Sequence, residues 1–406
     1  MWGRRSKVGT ELELKLVPLV SPLEKQQAEP ANQSQQKAFI KALKAYDFAK
    51  VEEYIYLHGG NSDAINIQMG TYERNPLEWV CKQSAKTASL EDRARMMRLL
   101  LMTSAINVDT ENFNSSDLLL SVMPCIAEDG LELLDILLTD ERVDVNRMRD
   151  GVNPLLVAVI GYPLRIIQRL LDDDRVDVNV KFVRPVVGGY FFHPVNGDTA
   201  LHLAIRKGKN DVVEALLARK DFKVNETNIE QMTAVHVAAL KGEADSLAAL
   251  LNHPQVDKAV VTAVDRGGCT ALHLAARGNH HQCAVVLLEN NKIALDESEV
   301  NAVNKRDGNT PLIEAVTHSA KKGGDKLVSL LLDKGARPDL ENHHYCNGRE
   351  AATTRHNFEL LKLIKDHEKA QQKMQSLLQQ NSVFKQGAPV VDVEVNPERK
   401  EQPACL

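Results

Sequence analysis

Large rings are scarce in this sequence: Phe, Trp and Tyr together make up 4% of its 406 residues. That leaves little material for large aromatic-lined pockets and points to a core of Leu, Ala, Val and Ile between thin helical layers. A basic surplus is missing too. Lys and Arg number 50 against 55 Asp and Glu, a formal net charge of −5, so no nucleic-acid footprint is expected. No apolar run reaches the ~18 residues of a membrane span. The opening stretch MWGRRSKVGTELELKL holds basic residues but no apolar stretch of a secretory signal. The six cysteines (Cys81, Cys125, Cys269, Cys283, Cys346, Cys405) include no CxxC pair, which suits free thiols in a reducing cytoplasm. Cys405 stands next to last, so the end of the chain is no prenylation signal. P-loop, GxSxG, HExxH and dinucleotide patterns are all missing. No catalytic residue and no cofactor is therefore expected, and the chain is not read as an enzyme.

What is present is a repeat. Asn196 to Asn225, NGDTALHLAIRKGKNDVVEALLARKDFKVN, holds a turn at Asn196-Gly197 and a short helix opened by Thr199-Ala200-Leu201-His202. A break at Gly208 follows, then a second helix ending in Leu216-Leu217. Thr233-Ala234-Val235-His236 lies 34 residues on, Thr270-Ala271-Leu272-His273 a further 37, and Thr310-Pro311-Leu312 a further 40. Leu250-Leu251, Leu287-Leu288 and Leu331-Leu332 keep the paired leucines in place. Four registered copies of this length resemble the ankyrin repeat. The resemblance implies an all-α ankyrin-repeat solenoid of helix-turn-helix units with short β-hairpin turns, about nine units counting caps. Each unit packs only on its neighbours, so no single core must grow with chain length.

The organisation expected is a flexible leader over 1–34, divergent ankyrin-like units over 35–152, regular repeats over 153–368, and a short helix with a disordered tail over 369–406. Asn75-Pro76-Leu77-Glu78 and Asn153-Pro154-Leu155-Leu156 stand where the Thr-led turn stands elsewhere, with Pro at the first helical position. The openings Asn153 and Thr199 are 46 apart, more than a repeat of about 33. The excess is placed in residues 181–195 as an elongated hairpin loop.

Within the unit, Thr199 can cap the first helix, and Ala204 must be small where neighbouring helices approach. Gly208, Gly242 and Asn279 suit a left-handed residue at the helix end. The family resemblance makes His202, His236 and His273 structural, bonded to the turn and to the next repeat. His280, His281 and Cys283 are close in sequence but have no second ligand pair nearby, so no metal site is expected.

The best binding candidate is the 181–195 loop, with Tyr190, Phe191 and Phe192 adjacent in a chain poor in rings. The alternative is that this loop covers the solenoid. The resemblance further implies a concave surface of turn tips and first helices. Its positions here include Arg206, Lys207, Ile229, Met232, Leu240, Lys241, Arg266 and Arg277. Apolar residues beside a basic strip imply a protein partner, acidic around an apolar anchor. No nucleic acid or membrane is implied, and a monomer is expected. Asn146, Asn179 and Asn225 end V-N turns in a pattern that resembles ankyrin targets of asparaginyl hydroxylases; turn geometry alone also accounts for Asn there.

Degenerate early repeats, RVDVN turn endings and a tail bearing Glu394, Glu398 and Glu401 resemble type IV-secreted ankyrin effectors of intracellular bacteria. A non-catalytic interaction scaffold acting in host cytoplasm is the resulting expectation. A resident cytosolic adaptor, or an enzyme with its site in the divergent 60–150 region, are the alternatives.

Overall fold

The computed structural model describes residues 31–67, 69, 75–83, 87–106, 108, 118–120, 123, 131–183, 195–318 and 325–386. Its contacts divide the chain into two compact units, residues 1–261 and 262–406.

In the first unit the helices are α1 Gln33–Ala45, α2 Phe48–His58, α3 Ser62–Ile65, α4 Pro76–Cys81, α5 Leu90–Leu101 and α6 Glu132–Leu138. They continue as α7 Pro154–Gly161, α8 Leu164–Leu171, α9 Ala200–Arg206, α10 Asn210–Leu217, α11 Ala234–Lys241, α12 Ala244–Asn252 and α13 Lys258–Thr262, the last at the division itself. Helices α7, α9 and α11 pack in series as one layer, and α8, α10 and α12 as a second. The second unit repeats the plan. Its first layer is α14 Ala271–Arg277, α17 Pro311–His318 and α19 Gly348–Thr354; its second is α15 His281–Leu288, α18 Asp325–Asp333 and α20 Phe358–Gln386. The short α16 Glu297–Val300 lies between α15 and α17 in the chain.

Most of the helices are short, and the sequence starts and stops several of them firmly. Asn75, Ser89 and Asn153 accept from the third helical N–H at 2.8, 3.0 and 2.9 Å, which supplies one of the orphan donors of a helix start. Gly242 and Asn279 follow first helices with φ of 78° and 55°, the conformation that lets the chain reverse into the second helix. The core is aliphatic: Leu201, Ala204, Ile205, Val213 and Leu216 are at most 1% exposed.

Among the described residues the turns between units are not paired strands. They carry isolated bridges, Arg149 to Val152 and Lys181 to Thr199. Helix α20 runs unbroken past residue 368, where the sequence reading placed a boundary.

Candidate functional site

The turn tips are built on an Asn or Asp, buried at Asn228, Asp265 and Asn304 and half-buried at Asn342. The N–H groups of Asn228, Asp265, Asn304 and Asn342 bond the carbonyls of Met232, Cys269, Asn309 and Cys346 at 2.9–3.1 Å. Their side chains then accept from the tip itself. Asp265 Oδ1 takes the N–H groups of Gly267 and Cys269, both at 2.8 Å; Asn342 Oδ1 takes those of His344 and Cys346, both at 2.9 Å. These anchors precede the helix cap by five or six positions (Asn228 to Thr233, Asn304 to Thr310), a spacing visible in sequence but not singled out there.

Successive tips are then joined. In the first unit Val183 N–H bonds Gly151 O and Ile229 N–H bonds Asn196 O, both at 2.9 Å. In the second, Lys305 N–H bonds Gly267 O at 3.0 Å and His343 N–H bonds Asp307 O at 2.9 Å. With backbone and anchor both engaged, a tip is rigid before anything binds it.

The structure distributes the expected binding residues unevenly. Ile229 is 57% exposed on a tip, and Lys207, Lys241 and Arg266 are exposed, while Leu240 is half-buried. Met232 is different: it is buried, and its carbonyl accepts from His202 Nε2 at 3.0 Å. Arg206 lies with its side chain 8% exposed against the fully buried Asp198, Nε to Oδ2 at 2.8 Å. Asn228 Nδ2 donates to the other Asp198 oxygen, also at 2.8 Å. Arg277 is held by Glu314 of the next repeat. Two of the five cations in the expected basic strip therefore neutralise buried carboxylates, because a carboxylate removed from water needs a partner. The exposed positive charge of the strip lies on Lys207, Lys241 and Arg266.

Tyr190, Phe191 and Phe192 lie outside the described residues. The ends of their loop are described and are joined: Phe182 N–H bonds Asp198 O at 2.7 Å and Gly197 N–H bonds Phe182 O at 2.8 Å. Phe182 is buried there, while Val183 is 54% exposed.

The histidines of the repeats sit inside. His202 Nδ1 is 2.8 Å from Thr199 Oγ1, and His273 Nδ1 is 2.8 Å from Thr270 Oγ1, with Nε2 3.0 Å from Asn309 O. Burial pushes His202 down to about 4 and lowers His273 in the same direction. Both are neutral braces that join a cap to the next turn.

Two further ladders run through the turn endings of the first unit. Asn146 Nδ2 donates to Arg175 O at 2.6 Å while its Oδ1 accepts from Asp177 N–H at 2.7 Å. Asn179 does the same with Asp221 O and Lys223 N–H at 2.9 and 2.8 Å, and Asn225 Nδ2 reaches Gln255 O at 2.7 Å. The arginines point the other way. Arg142 donates to Leu101 O and Thr103 O, both at 2.8 Å, and Arg175 to Leu138 O at 2.6 Å. Arg219 donates to Leu171 O and, at 3.3 Å, Asp173 O. Each guanidinium thus satisfies orphan carbonyls at the end of the preceding second helix, where a cation is also favoured by the helix dipole. Asp140, Asp173 and Asp221 hold these arginines in place.

In the divergent region Arg93 is fully buried and donates to Gln83 O at 3.0 Å. Burial pushes the neighbouring Tyr46 phenol up to about 12. Among the described residues no group of three or more His, Cys, Asp or Glu is arranged to hold a metal ion.

Residues 122–228, 181–261 and 257–342 match the family model for ankyrin repeats (3 copies). Among curated proteins the chain is similar to the NAD-dependent deacetylase sir2B of Dictyostelium discoideum, 21% identical over 232 residues, 53% of this chain and 29% of the relative. It is also similar to the ANK repeat-containing protein nipk-1 of Caenorhabditis elegans, 34% identical over 85 residues, 21% of this chain and 12% of the relative. The chain thus spans less than a third of the length of either relative. Among solved structures it resembles EF0377, an ankyrin repeat protein, with a TM-score of 0.44 and 22% identity over 54% of this chain and 98% of that one.

Proposed function

Because the chain belongs to the ankyrin repeat family, we propose that it is a non-catalytic scaffold whose surface of tips and first helices holds another protein. The observation that carries this reading is the tip at Ile229. An aliphatic side chain is 57% exposed there, on backbone whose polar groups are already bonded to Asn196 and Asn228. A preordered apolar contact loses little conformational freedom on docking. Lys207 and Lys241, both in the first unit, supply exposed positive charge, which favours an acidic partner and faster encounter with it. Tyr190, Phe191 and Phe192 add an aromatic contact in the same reading.

Delivery into a host cell is the finer form of this proposal. Glu394, Glu398 and Glu401 near the end of the sequence support it. The RVDVN endings no longer do, since their arginines and asparagines serve the fold. An adaptor resident in its own cell is the alternative. Deleting 387–406, beyond the end of α20, separates the two: loss of export with an unchanged melting temperature favours delivery.

The binding reading is tested by capture from host-cell cytosol with three baits: wild type, Ile229→Asp, and a Tyr190/Phe191/Phe192 triple Ala variant. A partner kept by wild type and lost by either variant at equal melting temperature is the expected result. Capture of nothing by wild type, against a denatured-bait control, removes the proposal.

A further inference from the structure

Helix α20 outgrows the unit it belongs to. It packs on α18 and α19, and in its first half Leu360 and Ile364 are 2% and 0% exposed. His367 lies 3.6 Å from Asp333, and Glu368 pairs with Arg349 at 3.2 Å. Beyond that point the neighbours run out: every residue from Lys369 to Leu378 is exposed. Met374, Leu377 and Leu378 are 63%, 49% and 61% exposed, one turn apart on a helix that continues to Gln386. Helical stability in proteins comes mostly from the packing of an apolar face, which Lys369 to Leu378 lack within the protomer.

The sequence supplies a pattern for what covers it. Leu360, His367, Met374 and Asn381 recur every seventh residue, and Leu363, Ala370, Leu377 and Phe384 follow each by three. These are the a and d positions of a heptad repeat. The first heptad is spent on the chain's own α18 and α19; the later ones carry the exposed residues.

We propose that the distal part of α20 pairs with the same segment of a second copy as a parallel, in-register, two-stranded coiled coil. Asn381 selects this occupant. At an a position a carboxamide facing hydrocarbon is costly, whereas in-register pairing sets it against its own copy, where the two amides satisfy one another. The flanking positions agree. In that pairing Lys373 faces Leu378 of the other strand and Gln380 faces Lys385, so no like charges are opposed. Residues 1–30 space Leu12, Leu16, Leu19 and Leu23 as a heptad but interrupt that run with Pro18 and Pro22, which break a helix, and residues 387–406 carry Pro389, Pro397 and Pro403 and no heptad; neither offers a continuous partner helix. Pairing would present two repeat surfaces at once, which raises avidity for a multivalent partner without new contacts.

Sedimentation velocity of the full chain over two orders of magnitude in concentration tests this. The mass is expected to rise from 45.1 kDa to twice that. A Leu377→Asp/Leu378→Asp variant, altered only at residues exposed in the protomer, should stay monomeric throughout at an unchanged melting temperature. Asn381→Leu should tighten association at least tenfold and admit species larger than a dimer. A wild-type chain monomeric over the whole range overturns the proposal, and so does a dimer that survives the double Asp variant. Unchanged association in Asn381→Leu overturns the in-register arrangement. Protection of 370–384 from amide exchange in a monomer would show that the chain covers its own helix, which also ends the proposal.

Discussion

Arg277 grips Glu314 with two parallel bonds, Nε to Oε2 and Nη2 to Oε1, both at 3.0 Å. The carboxylate is 1% exposed, and its Oε1 also accepts from Asn304 and Asn309 at 3.0 and 3.2 Å. Asn309 Oδ1 in turn accepts from Asn342 Nδ2 at 2.7 Å. One buried charge therefore ties a first helix to the next first helix and to two successive turns. Replacing Glu314 by Ala removes the acceptor for Arg277, Asn304 and Asn309 at once. The loss expected in urea unfolding is about 3 kcal/mol. Arg277→Lys keeps the charge but not the fork, and should cost about 1–2 kcal/mol. An unchanged unfolding midpoint for Glu314→Ala would mean that the pair merely decorates the surface.

The same burial makes the repeats acid-labile. A free histidine titrates at 6.5; His202, desolvated in the core, is pushed down to about 4, and His273 shifts the same way. Between those values the unfolded chain binds a proton that the folded chain refuses, so stability falls as pH drops from 6.5 toward 4 and is fully present above 6.5. For His202 alone the effect approaches about 3 kcal/mol. Glu314 acts lower on the scale. Burial alone would raise its carboxyl, but the bonds from Arg277 override this and hold it below 4.5. Its contribution is present above 4.5 and disappears as pH falls through the lower folded value. Melting temperatures followed from pH 7 to 4 should decline, and His202→Gln should flatten the upper part of that decline. A curve identical to wild type would show that His202 does not titrate on unfolding.

The legible part of this molecule is what is local. Thr199, Gly242 and Asn279 do what their spacing implies, because cap and left-handed stop each depend on residues within one turn of helix; the role of His202, which reaches Met232 O 30 residues on, came from the family resemblance. Asp198 shows where such reading ends. It stands in a polar turn and looks like surface, yet it is fully buried. Its partners are Arg206, two helical turns on, and Asn228, 30 residues away. Arg277 looked like part of a basic strip for the same reason: its carboxylate lies 37 residues away. The RVDVN endings suggested a lineage; in three dimensions they are inter-repeat clamps. A sequence shows the charge, and only the fold shows what it faces.

Those clamps are testable as a pair. Arg175 satisfies Leu138 O from one side of its turn, and Asn179 bonds Asp221 O and Lys223 N–H from the other. Arg175→Met keeps the length of the side chain and removes its donors, and should cost about 1–3 kcal/mol. Asn179→Ala loses both amide bonds and should cost about 1–2 kcal/mol. Because they join different neighbouring turns, the double variant should come close to the sum of the two. Guanidinium-chloride titrations of all three measure this. A strong positive coupling would show that the two clamps fail together.

The last prediction concerns the second residue before each cap threonine. That place is held by Gly197 in the first unit and by Gly268 and Gly308 in the second, with φ of 84°, 78° and 70°, but by Gln231 before Thr233, with φ of 58°. A side chain in the left-handed region strains the backbone by about 1–2 kcal/mol, while glycine adds freedom to the unfolded chain. Gln231→Gly should therefore stabilise the repeats by a net of about 0.5–1 kcal/mol. The reverse change is worse than its backbone strain. A Cβ at Gly268 would sit 2.5 Å from the backbone N of Lys305, so the tip at Lys305 must move and its N–H bond to Gly267 O is strained. Gly268→Ala should cost more than Gln231→Gly gains, with amide exchange accelerated at Lys305. If Gln231→Gly instead lowers the melting temperature, the glutamine side chain contributes a contact at the tip that outweighs its strain, and the tip beside Ile229 is held by more than its backbone.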